Sequence, residues 1–147
     1  MNRSDSVRRV RTALHQVGID AEVRETPAST RTAQQAADAV GCELGQIVKS
    51  LLFLLDDVDP VLILVSGANR VDPARLGETL GRRVVLADAA TVRDVTGFAI
   101  GGVAPVGSRR NVPIYLDADL MAYEVVWAAA GTPNAVFPVA PARHAAA

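Results

Sequence analysis

The sequence predicts an α+β fold: a single domain in which a curled, barrel-like mixed β-sheet is flanked by helices. Three observations predict it. Two apolar runs, 47–55 and 61–65, are separated only by the acidic turn Asp56-Asp57-Val58-Asp59-Pro60, which marks a hairpin of central strands. Helical periods and capping residues are interleaved with strand-like runs along the whole chain. No internal repeat or linker divides the 147 residues, a length that buries roughly two-thirds of the unfolded surface in one core.

Each element follows from local chemistry. Val7, Val10, Leu14 and Val17 recur at helical spacing and predict a helix over 4–17, capped by Ser4 or Asp5 and ended by Gly18. Ala21, Val23 and Glu25 predict a short strand stopped by Pro27. Thr32-Ala33-Gln34-Gln35 is a capping box that opens a helix to about Val40, with Gly41 and Gly45 breaking it. In the run 47–55, alternation puts Ile47, Lys49, Leu51, Phe53 and Leu55 on one face and Val48, Ser50, Leu52 and Leu54 on the other. Both faces are apolar, so the sheet is covered on two sides or curled around a core. Asp72-Pro73 supplies an N-cap and a first-turn proline for a helix that ends at Gly81. Strands are predicted at Arg82–Leu86, Val112–Leu116, Tyr123–Ala129 and Ala135–Val139, with a helix from the Asp88 cap to Gly97. Gly101–Gly107 is too rich in glycine for a regular element. The domain spans 1–147, with a disordered Ala-rich tail over about 141–147.

Composition narrows the function classes. No apolar run reaches the ~20 residues that cross a bilayer, and the polar, basic first residues lack the apolar stretch of a secretory signal. A cytoplasmic protein without a membrane partner is the expectation. The single cysteine, Cys42, excludes an internal disulfide and a cysteine-based zinc site, and reads as a small buried hydrophobe. His15 and His144 have no ligand spacing, so neither a metal nor another cofactor is expected. The formal net charge of −1 gives no global field for nucleic acid. The pairs Arg8-Arg9, Arg82-Arg83 and Arg109-Arg110 read as solvated surface that permits a local phosphate contact. Oligomeric state is not encoded in any pattern.

One residue breaks the arginine bias. Of 15 cationic side chains 14 are arginine, and the only lysine, Lys49, lies inside the most apolar stretch of the chain. Burying an ammonium without a partner costs several kcal/mol or lowers its pKa, and such groups concentrate at functional sites. The alternative is that Lys49 ends a strand and snorkels to water. Gly101 and Gly102 offer bare backbone N–H groups of the kind that form oxyanion holes, unless the loop is a plain turn. A Ser/His/Asp triad is not supported, because Ser50 points away from Lys49 and neither histidine is placed to serve it. A Ser–Lys dyad has no signature here. Asp117 is a base, a partner for Lys49, or a cap for the following turn.

These pieces together resemble the YbaK/prolyl-tRNA synthetase-associated editing domain. The resemblance rests on Gln46-Ile47-Val48-Lys49-Ser50-Leu51, Val65-Ser66-Gly67, Thr96-Gly97 leading to Gly101-Gly102-Val103-Ala104-Pro105-Val106-Gly107, Leu116-Asp117 and Ala129-Ala130-Gly131. It runs from about Thr30 to Val139. It implies metal-independent hydrolysis, in trans, of the ester between a wrong amino acid and tRNA, with Ala- or Cys-tRNA for proline as the expected substrates. On the family's pattern the terminal ribose hydroxyl and a water carry much of the proton work. Lys49 would contact the terminal phosphate or the reacting ester, and Gly101 and Gly102 would donate to its carbonyl. Thr30, Ser50, Phe53, Val103, Pro105, Asp117 and Gly131 would bind the substrate. The partners implied are the 3′ end of aminoacyl-tRNA and a synthetase that helps read tRNA identity. Such a sieve has a physical rationale, since an apolar pocket discriminates one methylene only about 10–200-fold. Two rival readings remain: a non-catalytic module that binds tRNA or a nucleotide, and a Schiff-base lysine enzyme.

Overall fold

A computed structural model describes residues 3–27, 30 and 32–141. Helix α1 (Arg3–Gln16) leads to a two-residue strand β1 (Arg24–Glu25) and helix α2 (Ala33–Val40). The hairpin β2 (Val48–Leu55) and β3 (Asp59–Ser66) follows, then helix α3 (Pro73–Leu80), strand β4 (Val84–Leu86) and helix α4 (Ala89–Thr96). Strands β5 (Ile114–Leu116), β6 (Val126–Ala129) and β7 (Ala135–Val139) complete the order.

The caps of α2, α3 and α4 sit where the sequence places them, whereas Ser4 and Asp5 fall inside α1 and not at its N-cap position. Thr32 accepts from the Gln35 N–H at 3.1 Å, and the Thr32 N–H donates back to the Gln35 side chain at 3.0 Å. Asp72 accepts from the Ala74 N–H and Asp88 from the Thr91 N–H, at 3.0 and 2.8 Å. Gly41, Gly81 and Gly97 close α2, α3 and α4 in the left-handed conformation. In the hairpin turn Asp56 and Asp57 take φ of 53° and 61°, the positive pair that a tight turn between twisted strands requires. Arg82 bonds Asp56 at 2.7 Å and Asp59 at 2.6 Å, and Arg83 bonds Asp57 at 3.0 Å. This arginine pair holds a turn and is not merely solvated surface.

The sheet differs from expectation. It is not a single curled barrel but two sheets, β4-β2-β3-β5 and β1-β7-β6. They touch through one parallel bridge between Ile47 and Trp127. The mixed character is correct, since β3 pairs with β5 in parallel and its other neighbour antiparallel. Closure fails because β4 is only three residues long and pairs with Phe53–Leu55 alone. The N-terminal half of β2 therefore keeps one edge without a partner strand.

Both faces of β2 are covered, as its apolar alternation demands. Val48 and Leu52 join Val10, Leu14, Phe98 and Phe137 in the main core between the two sheets and the helices. Phe53 and Leu55 pack on the other face with Ile63 and Val84, under Leu76 and Leu80 of α3. Strands β1, β4 and β5 begin later than the sequence suggests, at Arg24, Val84 and Ile114, and two further boundaries also differ. Val17 lies beyond α1 and is 43% exposed. Tyr123 does not start a strand, because Asp117 caps a 3-10 turn over Ala118–Ala122 that consumes those residues. The expected tail falls on residues 142–147, outside the described ones, and no helix among the described residues is long and apolar enough to cross a membrane.

Candidate active site

A cavity of about 310 Å³ opens where the two sheets diverge. Thr30, Thr32, Ala33 and Ala36 form the wall from α2 and its approach, and Ile47 with the first five residues of β2, Val48 to Leu52, contributes without a break. Leu86, Ala87 and Val92 close one side, Ile100, Gly101 and Val103 another, and Trp127, Ala129, Pro133 and Val136 the third. Among the described residues the lining is apolar apart from three hydroxyls and one cation, Lys49, and it contains no carboxylate.

Lys49 is half-buried and does not simply snorkel. Its ammonium donates to the carbonyl of Asn69. The Asn69 side-chain amide in turn donates to Asp117 at 2.9 Å and to Asp119 at 2.7 Å. Asp117 also accepts from the Ser66 N–H at 3.1 Å and from the Asp119 N–H at 3.0 Å. One Asp117 oxygen, Oδ2, is thus committed to fixing the turn 66–69 and the other, Oδ1, to capping the 3-10 turn, so Asp117 is an anchor rather than a base. Burial works against its charge, but the bonds from Asn69, Asp119 and Ser66, with the nearby Lys49 ammonium, hold its carboxyl below the ordinary range. For Lys49 burial comes first and the adjacent Arg70 second in lowering its pKa, with Asp117 opposing them.

The stability consequence of Asp117 has a definite sign. A carboxyl held low in the folded state contributes stability above its unfolded value, near 3.9 for a model Asp, and that contribution is lost as the pH falls through the lowered folded value. Asp117→Ala is expected to cost about 1–3 kcal/mol at pH 7, because it strands the Ser66 N–H and the Asn69 amide. Denaturant unfolding at pH 7 and at pH 3 checks this, with the gap between variant and wild type narrowing at the lower pH.

The other expected site residues divide. Thr30, Ser50, Gly101 and Val103 line the cavity with Lys49. Gly101, at φ 87°, is exposed, and among the described residues its N–H makes no hydrogen bond. Gly102 is corrected: its N–H donates to the Ala99 carbonyl at 3.0 Å, and a Cβ there would stand 2.7 Å from Thr132 Cα. It packs the loop against the 131–132 turn and has no free donor. Phe53 lies on the α3 face of the sheet, away from the cavity. Pro105 is buried in the loop, and Gly131 packs on α1, where a Cβ would meet the Ser6 carbonyl oxygen at 2.7 Å. Neither lines the cavity.

Several residues escaped the sequence reading. Asn69 carries the Lys49 contact, and its only signal was the polar turn after Val65-Ser66-Gly67. The α2 wall, Ile100, Trp127 and Pro133 carried none. Arg9 is also misread as surface. It bonds the Gly107 carbonyl at 2.8 Å and that of Thr96, and stacks 4.2 Å from the Phe98 ring. It clasps both ends of the Gly97–Gly107 loop to α1 and so positions Gly101. Cys42 is half-buried, and burial with the neighbouring Glu43 pushes its thiol up, away from nucleophilic use.

Fold and sequence together place the chain in a class, the aminoacyl-tRNA editing domains, whose family pattern matches residues 27–145. It belongs to the YbaK/prolyl-tRNA synthetase-associated branch of that family. The chain is 32% identical to the uncharacterized protein YwhH of Bacillus subtilis over 136 residues, 92% of this chain and 87% of that one. It is 26% identical over 111 residues to EbsC of Enterococcus faecalis, provisionally named a Cys-tRNA(Pro)/Cys-tRNA(Cys) deacylase, covering 75% and 68%. A crystal structure provisionally described as a trans-editing enzyme for prolyl-tRNA synthetase superimposes with a TM-score of 0.91 at 50% identity, covering 96% and 90%.

Proposed function

We propose that this protein is an aminoacyl-tRNA deacylase that clears mischarged tRNA in trans, with Ala- or Cys-tRNA(Pro) as substrate. The observation that carries the reading is the pairing of one fixed ammonium with a largely apolar cavity of about 310 Å³, which has room for an aminoacyl group. Lys49 holds the 3′ end of the tRNA by a phosphate or the ester itself, and the Gly101 N–H donates to the carbonyl oxygen as charge develops there. Water adds to the ester carbon, the bond to the ribose oxygen breaks, and amino acid and tRNA leave. The terminal ribose hydroxyl and the water exchange the protons, so the protein's task is positioning. Gly102 has no part in this, since its N–H is already used. A synthetase that binds the same tRNA supplies identity that a chain of net charge −1 reads weakly by itself.

The test is a deacylation screen over Ala-, Cys-, Ser- and Thr-charged tRNA, with and without EDTA. The expected result is turnover of the Ala or Cys ester that EDTA leaves unchanged; no turnover of any of the four would overturn the reading. Gly101→Ala is expected to lower kcat by about tenfold or more with little change in KM, as a transition-state donor requires. Because Lys49 titrates below an ordinary lysine, kcat/KM corrected for spontaneous hydrolysis is expected to fall on the alkaline side with a midpoint below 10.5.

A further inference from the structure

The cavity meets β2 from its edge. A cavity on one face of a strand touches alternate residues, whereas this one touches six in a row, Ile47 to Leu52. The neighbours on that edge explain why. On one side β4 pairs only with Phe53–Leu55, and the last bond runs from the Ala87 N–H to the Leu52 carbonyl at 3.0 Å. On the other, β6 is paired with this edge only at the Ile47–Trp127 bridge, although it runs close by. Between Ile47 and Leu52, about 17 Å at ~3.3 Å per residue, no strand is hydrogen-bonded along the edge.

The strand pairings fix which backbone groups face this gap. In an antiparallel pair a residue's N–H and C=O point to the same side, and the side alternates along the strand. The Leu52 carbonyl faces β4, and the Ile47 carbonyl accepts from the Gly67 N–H on the β3 side at 2.7 Å. Ser50, two residues from Leu52, therefore turns its N–H and C=O into the gap. Its cross-strand neighbour Leu64 confirms the parity, because the Leu64 carbonyl turns away to accept from the Asp117 N–H at 2.8 Å. The Ser50 hydroxyl is also buried with no partner. A main-chain donor and acceptor on an edge with no paired strand are open to an added partner.

From this geometry we infer that the aminoacyl group docks as a one-residue strand on Ser50. Its α-amine donates to the Ser50 carbonyl and its ester carbonyl accepts from the Ser50 N–H, the two-bond exchange of an antiparallel ladder. The class of substrate is an α-amino acid ester of L configuration, selected through its backbone-like atoms, while the amino acid side chain is sized by the apolar wall. Among the described residues no carboxylate lines the cavity, which fits an amine met by a carbonyl dipole. The inference rests on the deacylase reading and deepens it.

Two measurements test it. The first compares Ala-tRNA with tRNA charged with propionic acid, which is alanine without its amine, and with D-alanine, each rate divided by its spontaneous hydrolysis. Both analogues are expected to lose about tenfold or more in corrected kcat/KM, since each leaves a buried group unpaired. The second follows backbone amide exchange by NMR with 3′-deoxy-3′-(alanylamino)adenosine, an amide-linked mimic of the terminal aminoacyl-adenosine. The Ser50 N–H is expected to exchange fast in the free protein and about tenfold slower with the mimic, while the Lys49 and Leu51 N–H groups, already paired to β3, stay unchanged. Equal corrected rates for the three esters, or a Ser50 N–H already protected in the free protein, would overturn the docking while wild-type turnover of Ala-tRNA keeps the deacylase reading. Loss of turnover on every charged tRNA would remove the deacylase reading itself.

Discussion

Lys49→Ala is expected to lower kcat/KM for the mischarged tRNA by about 100-fold or more, with the fold intact. The magnitude follows from the site. Among the described residues Lys49 is the one cation lining the cavity, and removing a single preorganised electrostatic contact costs about 10²–10³ in rate. The stability side is small for a separate reason. A lysine whose folded pKa is lowered is more costly to charge in the fold than in the unfolded chain, so at neutral pH its charge does not stabilise the protein. The alanine variant loses only the bond to the Asn69 carbonyl. Its melting temperature should stay within a few degrees of wild type. Lys49→Arg is not expected to restore activity, because a planar guanidinium cannot occupy the single-carbonyl seat of an ammonium. Single-turnover deacylation beside a thermal melt checks all three. Wild-type rates in the alanine variant would remove Lys49 from the chemistry.

Gly131→Ala is expected to act on stability instead, at about 3 kcal/mol and about 10 °C in Tm. Two costs combine. The residue sits at φ 101°, where an L side chain is strained, and the new Cβ would lie 2.7 Å from the Ser6 oxygen and 2.8 Å from its carbonyl carbon. These are backbone atoms of α1, so no side chain can swing aside. Since Gly131 packs on α1 and does not line the cavity, the turnover of the folded fraction at low temperature should remain near wild type. Thermal denaturation with activity measured well below the transition distinguishes this from a role in the pocket, which would depress turnover at every temperature.

The contrast between these two positions shows where the sequence is legible. Lys49 stood out because its residue type conflicts with its surroundings, a local signal that needs no knowledge of contacts. Gly101, Gly102 and Gly131 looked alike as glycines in turns, yet one has an open N–H, one has its N–H bonded within the loop, and one meets a helix backbone. Asp117 was left between base, partner and cap, and what decided it was the turn 66–69, some fifty residues away in sequence. The family resemblance placed Phe53 among the substrate-binding residues, but the sheet face it shares with Lys49 continues under α3, while the cavity reaches β2 from its edge.

Local periodicity and capping by themselves determined the hairpin, the three capped helices, the two-sided burial of β2 and the placement of a lone lysine among apolar residues. They could do so because a side-chain period of two or 3.6 and a cap spacing of three residues are short-range properties. The tertiary structure alone decided that the sheet stays open, that Lys49 is seated on Asn69, and that the cavity runs along an edge. The period of a strand says which face a side chain takes and is silent about which strand lies alongside. That was settled by β4 ending at Leu86 and by β6 pairing only at Ile47, so the unpaired edge beside Lys49 exists only in the folded chain.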